Sequence, residues 1–122
     1  MPDTIDMIDK ILTDMKNVGG VEACAAVSRD GLLIRAIVQN WQFAESFAAM
    51  SATMLGAAET ATVELGKGIP HRVIVESGQG RLVAVGAGPR ALLVVTVDSD
   101  TGLGLVLIEL EKAAKKLKEL LI

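Results

Sequence analysis

The residue types that most often carry out chemistry in proteins are few in this sequence and lie far apart along it. There is one histidine, His71, and one cysteine, Cys24. A nucleophilic pair of the cysteine or a serine with this histidine would need a tertiary proximity that nothing in the sequence indicates. Cys24 stands among alanines in an apolar segment, which favours a small core residue over a nucleophile. His71 begins a predicted strand beside Pro70, which favours a surface or interface position.

Three short segments resemble parts of ligand-binding loops but lack the required spacing. The Gly-Lys-Gly sequence at residues 66–68 follows a helix and lacks the spacing of a phosphate loop. The Gly-Ala-Gly-Pro sequence at 86–89 precedes a strand, where a dinucleotide fingerprint needs a helix. The acidic sequence at 98–102 has no calcium ligand downstream until Glu109, so it predicts a helix N-cap instead. We therefore expect no catalytic residues, no bound cofactor and no metal site.

Composition excludes further classes of function. The length of 122 residues suits one domain, residues 1–122, and 51% hydrophobic residues allow a real core. A net charge of −3 and only 2% aromatic residues argue against nucleic acid as a partner. No apolar run reaches the roughly 20 residues that cross a bilayer, so no membrane insertion is expected. A lone cysteine and an acidic start without signal-peptide order predict a cytoplasmic protein.

The periodicity of apolar residues predicts eight elements. Helices are predicted at residues 3–17, 43–65 and 103–121, and strands at 21–28, 32–38, 71–77, 81–85 and 91–97. Short connections between successive strands require antiparallel pairing. The order α-β-β-α-β-β-β-α therefore predicts an α/β (α+β) fold, in which helices cover both faces of a five-stranded antiparallel sheet.

The middle helix has two apolar faces, one bulky and one small. The bulky face is expected to pack on the sheet; its members are Phe43, Phe47, Met50, Met54, Ala57, Ala58, Ala61 and Leu65. The opposite face is expected to point outward and contains Glu45, Ala48, Ala49, Ala52, Gly56, Glu59 and Val63. Small side chains let another backbone approach closely, so this face predicts contact with other protein. Helix propensity alone would explain the alanines but not Gly56, which costs roughly 0.5–1 kcal/mol relative to alanine.

The strand after this helix extends the same argument. If residues 71–76 form an edge strand, their unpaired N–H and C=O groups invite pairing with another strand. A second copy is the simplest partner, because closed two-fold dimers are the commonest assembly. Helix and strand together would then form one self-complementary interface.

The sequence resembles the roadblock/LC7 family, single-domain relatives of a dynein light chain. The resemblance covers nearly the whole chain and lies in the order and spacing of six segments: residues 17–23, 28–34, 64–68, 73–76, 80–85 and 103–106. It implies a sheet with the middle helix on one face and the terminal helices on the other. It also implies a homodimer in which the third strands pair and the middle helices lie side by side.

The resemblance assigns two sets of site residues. The predicted dimer interface is formed by Ser51, Leu55, Thr62, His71, Val73 and Val75. The predicted partner-binding groove is formed by Glu45, Ala48, Ala52, Gly56, Glu59 and Val63.

Three functional hypotheses follow. The leading one is a non-enzymatic, homodimeric regulatory or scaffold module that binds a small Ras-like GTPase. The second is a purely structural dimer or tetramer. The third is a small-molecule sensor, which would need a concave pocket lined by polar groups.

Overall fold

The computed structural model describes residues 3–122 and contains the predicted elements in the predicted order. The helices in that range are α1 (Thr4–Lys16), α2 (Ala44–Glu64) and α3 (Gly104–Leu120). The strands are β1 (Val21–Ser28), β2 (Leu33–Ile37), β3 (Val73–Ser77), β4 (Gly80–Ala87) and β5 (Ala91–Val97). A single 3-10 turn, Trp41–Phe43, leads into α2. Residues 71 and 72, predicted to begin the third strand, lie before it.

All five strands pair antiparallel in the order β2-β1-β5-β4-β3. The sheet therefore has β5 at its centre and β2 and β3 at its two edges. The β1–β2 pairing contains a register shift between Ala26 and Val27, whereas the β3–β4 pairing is regular over its full length. The predicted fold class is confirmed.

Two hydrophobic cores lie on opposite faces of this sheet. On one face α1 and α3 bury Ile8, Leu12, Leu110 and Leu117 against β1, β4 and β5. On the other face α2 contributes Ala48 and Leu55 to a smaller core. The middle helix and the terminal helices thus lie on opposite faces, as the resemblance implied.

The cap predicted at residues 98–102 serves a different purpose. The Asp98 carboxylate accepts hydrogen bonds from the backbone N–H groups of Asp100 and Thr101, at 2.9 and 2.7 Å. The side-chain hydroxyl of Thr101, together with these backbone bonds, lowers the pKa of Asp98. The residue that caps α3 is Leu103, whose side chain makes no capping bond. The N-cap prediction was therefore wrong, because the carboxylate closes a turn within the loop.

The middle helix is rotated relative to the prediction. The residues it buries are Ala44, Ala48, Ser51 and Leu55, and three of these four are small. Small side chains let the helix approach the sheet at Ala25 and Ala84. The prediction that the bulky face covers the sheet was therefore wrong.

Candidate self-association surface

The edge strand β3 is the most exposed strand of the sheet. Four of its five residues are exposed, and only Val73 is half-buried. Val75 is 44% exposed on the face that carries α2, and Ile74 is 38% exposed on the face that carries α3. Because β3 has β4 on one side only, its outer N–H and C=O groups have no strand partner among the described residues.

One flank of α2 carries bulky apolar side chains that the chain itself does not cover. Phe43 and Met50 are 60% and 66% exposed, and Phe47 and Met54 are half-buried at the margin of the small core. Met50 and Phe43 lie on the same side of the helix, because seven residues make nearly two turns. The result is a continuous apolar flank along the first half of α2.

This flank borders a part of the sheet that no helix covers. A cavity of about 180 Å³ lies between Phe43 and Phe47 of the flank and Ala23 and Thr96 of the sheet. Thr96 also lines a second cavity, of about 250 Å³, whose floor includes Leu82 and Val75. We call this area, formed by Ala23, Val75, Leu82 and Thr96, the open corner of the sheet. It extends from the apolar flank of α2 to the β3 edge.

An ion pair fixes α2 over the rest of the sheet. The Arg29 Nη1 donates to Glu59 Oε1 at 2.6 Å, and its Nε and Nη2 donate to the Gly88 carbonyl at 3.2 and 3.0 Å. The guanidinium lies over Gly86, where an added Cβ would be 2.6 Å from Nη2. One arginine thus connects the end of β1, the turn between β4 and β5, and the second half of α2.

The predicted interface residues divide into two groups. Ser51 and Leu55 lie on the side of α2 that faces the sheet of their own chain, and only 3% and 1% of their surface is exposed. Thr62 is half-buried, and its hydroxyl donates to the Ala58 carbonyl at 3.0 Å. The remaining three lie near an open surface: Val73 and Val75 of β3 are half-buried and exposed, and His71, two residues before β3, is exposed.

The predicted partner-binding groove is not formed. Ala48 is fully buried against the sheet, Ala52 and Gly56 are half-buried, and Glu59 is held by Arg29. The other two residues of the predicted groove, Glu45 and Val63, are exposed. The side of α2 opposite the buried one instead carries small or polar exposed residues, which we call the outer ridge: Ser46, Thr53, Thr60 and Glu64.

The residues considered for catalysis are placed elsewhere. Cys24 is fully buried, its Sγ donates to the Leu12 carbonyl at 3.3 Å, and burial raises the pKa of the thiol to about 11. Such a thiol stays protonated at neutral pH and is a poor nucleophile. Among residues 3–122, no group of three or more His, Cys, Asp or Glu side chains could hold a metal ion. None of the described helices is long and apolar enough to span a membrane.

Sequence reasoning missed the open corner, although a signal for its rim was present. The three aromatic residues of the chain, Trp41, Phe43 and Phe47, fall within seven positions at the start of α2. Aromatic residues are enriched at the energetically important centres of interfaces. Their clustering in an aromatic-poor chain could have indicated a contact surface here.

Comparison with known proteins identifies the family. The family model described as the Roadblock/LC7 domain matches residues 7–96. Two proteins of Methanocaldococcus jannaschii, the uncharacterized proteins MJ1340 and MJ0310, are each 34% identical over 112 residues. Each alignment covers 92% of this chain and 97% of the relative.

Solved structures show the same fold at lower identity. MglB of Myxococcus xanthus superposes with a TM-score of 0.88 at 22% identity, covering 99% of this chain and 92% of that one. A Roadblock/LC7 domain from Streptomyces avermitilis gives 0.86 at 20% identity, with 93% and 96% coverage. The family match over most of the chain and this shared architecture agree, and the chain belongs to the Roadblock/LC7 domain family.

Proposed function

We propose that this protein is a non-enzymatic homodimeric platform that binds a small Ras-like GTPase in the cytoplasm. Two parts of the molecule support the two halves of the proposal. The apolar flank of α2, the open corner and β3 form the self-association surface. The outer ridge of α2 forms the surface for the GTPase.

The observation that carries the proposal is the juxtaposition of three uncovered features. The flank residues Phe43 and Phe47 border the open corner, which reaches the unpaired edge at Val75. Leaving an edge strand and a contiguous apolar area in water is unfavourable, and natural proteins normally cover both. One second copy covers both at once.

Two-fold symmetry determines how that copy binds. Antiparallel pairing of β3 with the partner's β3 places the two open corners next to each other. In such an isologous interface, the same residues are used twice. The apolar flanks of the two α2 helices then face each other above the joined ten-stranded sheet. Burying a side chain such as Met50 contributes about 1.5–3 kcal/mol, so four to six such residues suffice for a stable dimer.

The GTPase half of the proposal rests on family membership and on the outer ridge. The roadblock/LC7 resemblance implies platforms for small Ras-like GTPases. In the proposed dimer the two outer ridges lie on the same side of the sheet. Their small side chains, such as Ser46 and Thr53, let a second protein approach the helix backbone closely.

The test of this half is a binding titration with the small GTPases of the source organism, loaded with GDP or with a non-hydrolysable GTP analogue. We expect one of them to bind the dimer in a nucleotide-dependent manner. Thr60→Arg on the outer ridge should weaken binding at least about tenfold, since a long charged side chain keeps the surfaces apart (about 1.4 kcal/mol). Thr13→Arg, on the exposed side of α1, is the matched control and should leave binding unchanged.

A different outcome would favour the second hypothesis. If the protein is dimeric but binds none of these GTPases in either nucleotide state, the GTPase role is rejected. Self-assembly alone would then remain as its function.

A further inference from the structure

A third cavity, on the opposite face of the sheet from α2, has a distinct electrostatic character. It has a volume of about 270 Å³ and lies between the second half of α3 and the end of β4. Its charged or titratable lining residues are His71, Glu111, Lys115 and Lys118. The cavity is separate from the apolar flank and the open corner, which lie across the sheet.

The one acidic residue of this cavity is already neutralised. Glu111 accepts a hydrogen bond from the Nη2 of Arg72, and the two form an ion pair. Within the described part of the chain, neither Lys115 nor Lys118 takes part in an ion pair. The cavity therefore carries an excess of positive charge, although the chain as a whole has a net charge of −3.

A close contact with the turn between β4 and β5 positions one of these cations. Gly88 has a φ of +81°, and the Lys118 side chain crosses it so closely that an added Cβ would be 2.7 Å from Lys118 Cγ. The stem of Lys118 is therefore held against the cavity, at the end of β4.

We propose that this cavity binds a small phosphate-bearing anion. Lys115 and Lys118 supply point charges of the kind that bind phosphate oxygens, and His71 adds a hydrogen-bond donor at the rim. An oxyanion also supplies acceptors for the N–H groups of Lys115 and Lys118. The volume accommodates one phosphate group, or two in a diphosphate, with the remainder of any larger molecule outside. Its lining shares no residue with the apolar flank, the open corner or the outer ridge.

The test uses the full chain and three probes: inorganic phosphate, inorganic diphosphate and adenosine monophosphate. Sodium chloride at equal ionic strength is the reference. We expect a saturable rise in Tm, of about 4 °C at concentrations well above the Kd, and a matching isotherm in calorimetric titration. If only the inorganic probes bind, the natural ligand is a free anion. If adenosine monophosphate binds as well, a phosphate ester is accepted.

Two double variants on α3 distinguish binding of the anion at this site from nonspecific attraction of anions to the lysines of the helix. Lys115→Gln with Lys118→Gln should weaken binding at least about tenfold, since two cations contacting the anion are lost. Lys112→Gln with Lys116→Gln removes the same charge from the flank of α3 that faces α1, and should change affinity less than about twofold. Equal weakening by both pairs, or a Tm rise no larger than that with sodium chloride, would overturn the proposal.

Discussion

The two edge strands of the sheet differ in almost every respect that controls association. β2 is covered on both faces, since α1 packs on one side of it and α2 on the other. Four of its five residues are half-buried, and its exposed member, Arg35, binds both carboxylate oxygens of Asp9, at 2.8 and 2.9 Å. In β3, by contrast, four of the five residues are exposed, and the open corner of the sheet lies beside the strand.

The pairing of the two edges differs as well. The register shift between Ala26 and Val27 makes the β1–β2 ladder irregular, and such irregularities, with inserted charges, are the usual means of preventing edge-to-edge pairing. β3 pairs regularly with β4 over five residues. The β2 edge is therefore protected against pairing with another strand, whereas the β3 edge can accept one.

The largest effect on dimer formation is expected from a charge placed on the β3 edge. Val75→Lys should raise the dimer Kd at least about 10,000-fold, because an unpaired charge at the joined edge costs about 3 kcal/mol in each of the two copies. Analytical ultracentrifugation over a concentration series measures this. Leu32→Lys is the control, since Leu32 is 70% exposed immediately before β2. A similar loss of dimer from Leu32→Lys would show that the two edges are not functionally different.

A smaller effect is expected from the apolar flank of α2. Met50→Glu should raise the dimer Kd about 100- to 10,000-fold, because roughly 1.5–3 kcal/mol of apolar burial is lost in each of the two copies. Thr53→Glu introduces the same charge less than one turn away, on the outer ridge, and should leave the dimer intact. Size-exclusion chromatography with light scattering distinguishes the two variants. If both dissociate the dimer equally, the flank is not the contact that we assign.

The smallest effect concerns the protected edge. The hydrogen bond from Arg35 lowers the pKa of Asp9, so this pair stabilises the fold above the unfolded-state pKa, about pH 4. That contribution is lost as pH falls through the lower folded-state pKa. Asp9→Asn should therefore reduce stability slightly at pH 6, and the difference from wild type should shrink towards pH 3. Urea unfolding at both pH values measures this, with Asp14→Asn as the control for charge loss on α1. A difference that is unchanged at pH 3 contradicts the assignment.

Much of the fold followed from the sequence because its signals are local. The Asp-Gly turn at residues 30–31 predicted the β1–β2 hairpin, and Gly31 has the positive φ, +88°, that such a turn requires. The apolar spacing of α1 likewise indicated its buried face, which includes Ile8 and Leu12. Large apolar side chains such as these are stable only in the core, so their spacing along the sequence identifies the buried face of the helix.

The orientation of α2 did not follow, because both of its faces are apolar. Periodicity assigns the larger residues to the nearest core, so it placed Met50 on the sheet and Ala48 outside. The structure reverses these positions: Ala48 is buried, and Met50 is 66% exposed. Because Ala25 and Ala84 are small, α2 can lie close to the sheet and contact it through small side chains such as Ala48. No local sequence pattern indicates the distance between the helix and the sheet. The site residues Ser51, Leu55 and Ala48 were misplaced for this one reason.

The central claim is that a second copy covers β3 and the apolar flank of α2. Hydrogen exchange at increasing protein concentration tests it most directly, because the outer amides of β3 face solvent in the monomer. We predict that amides within Val73–Ser77 become protected as the mass doubles, while those of β2 do not change. Exchange in β3 that stays independent of concentration, in a protein that remains monomeric at millimolar concentration, would contradict it.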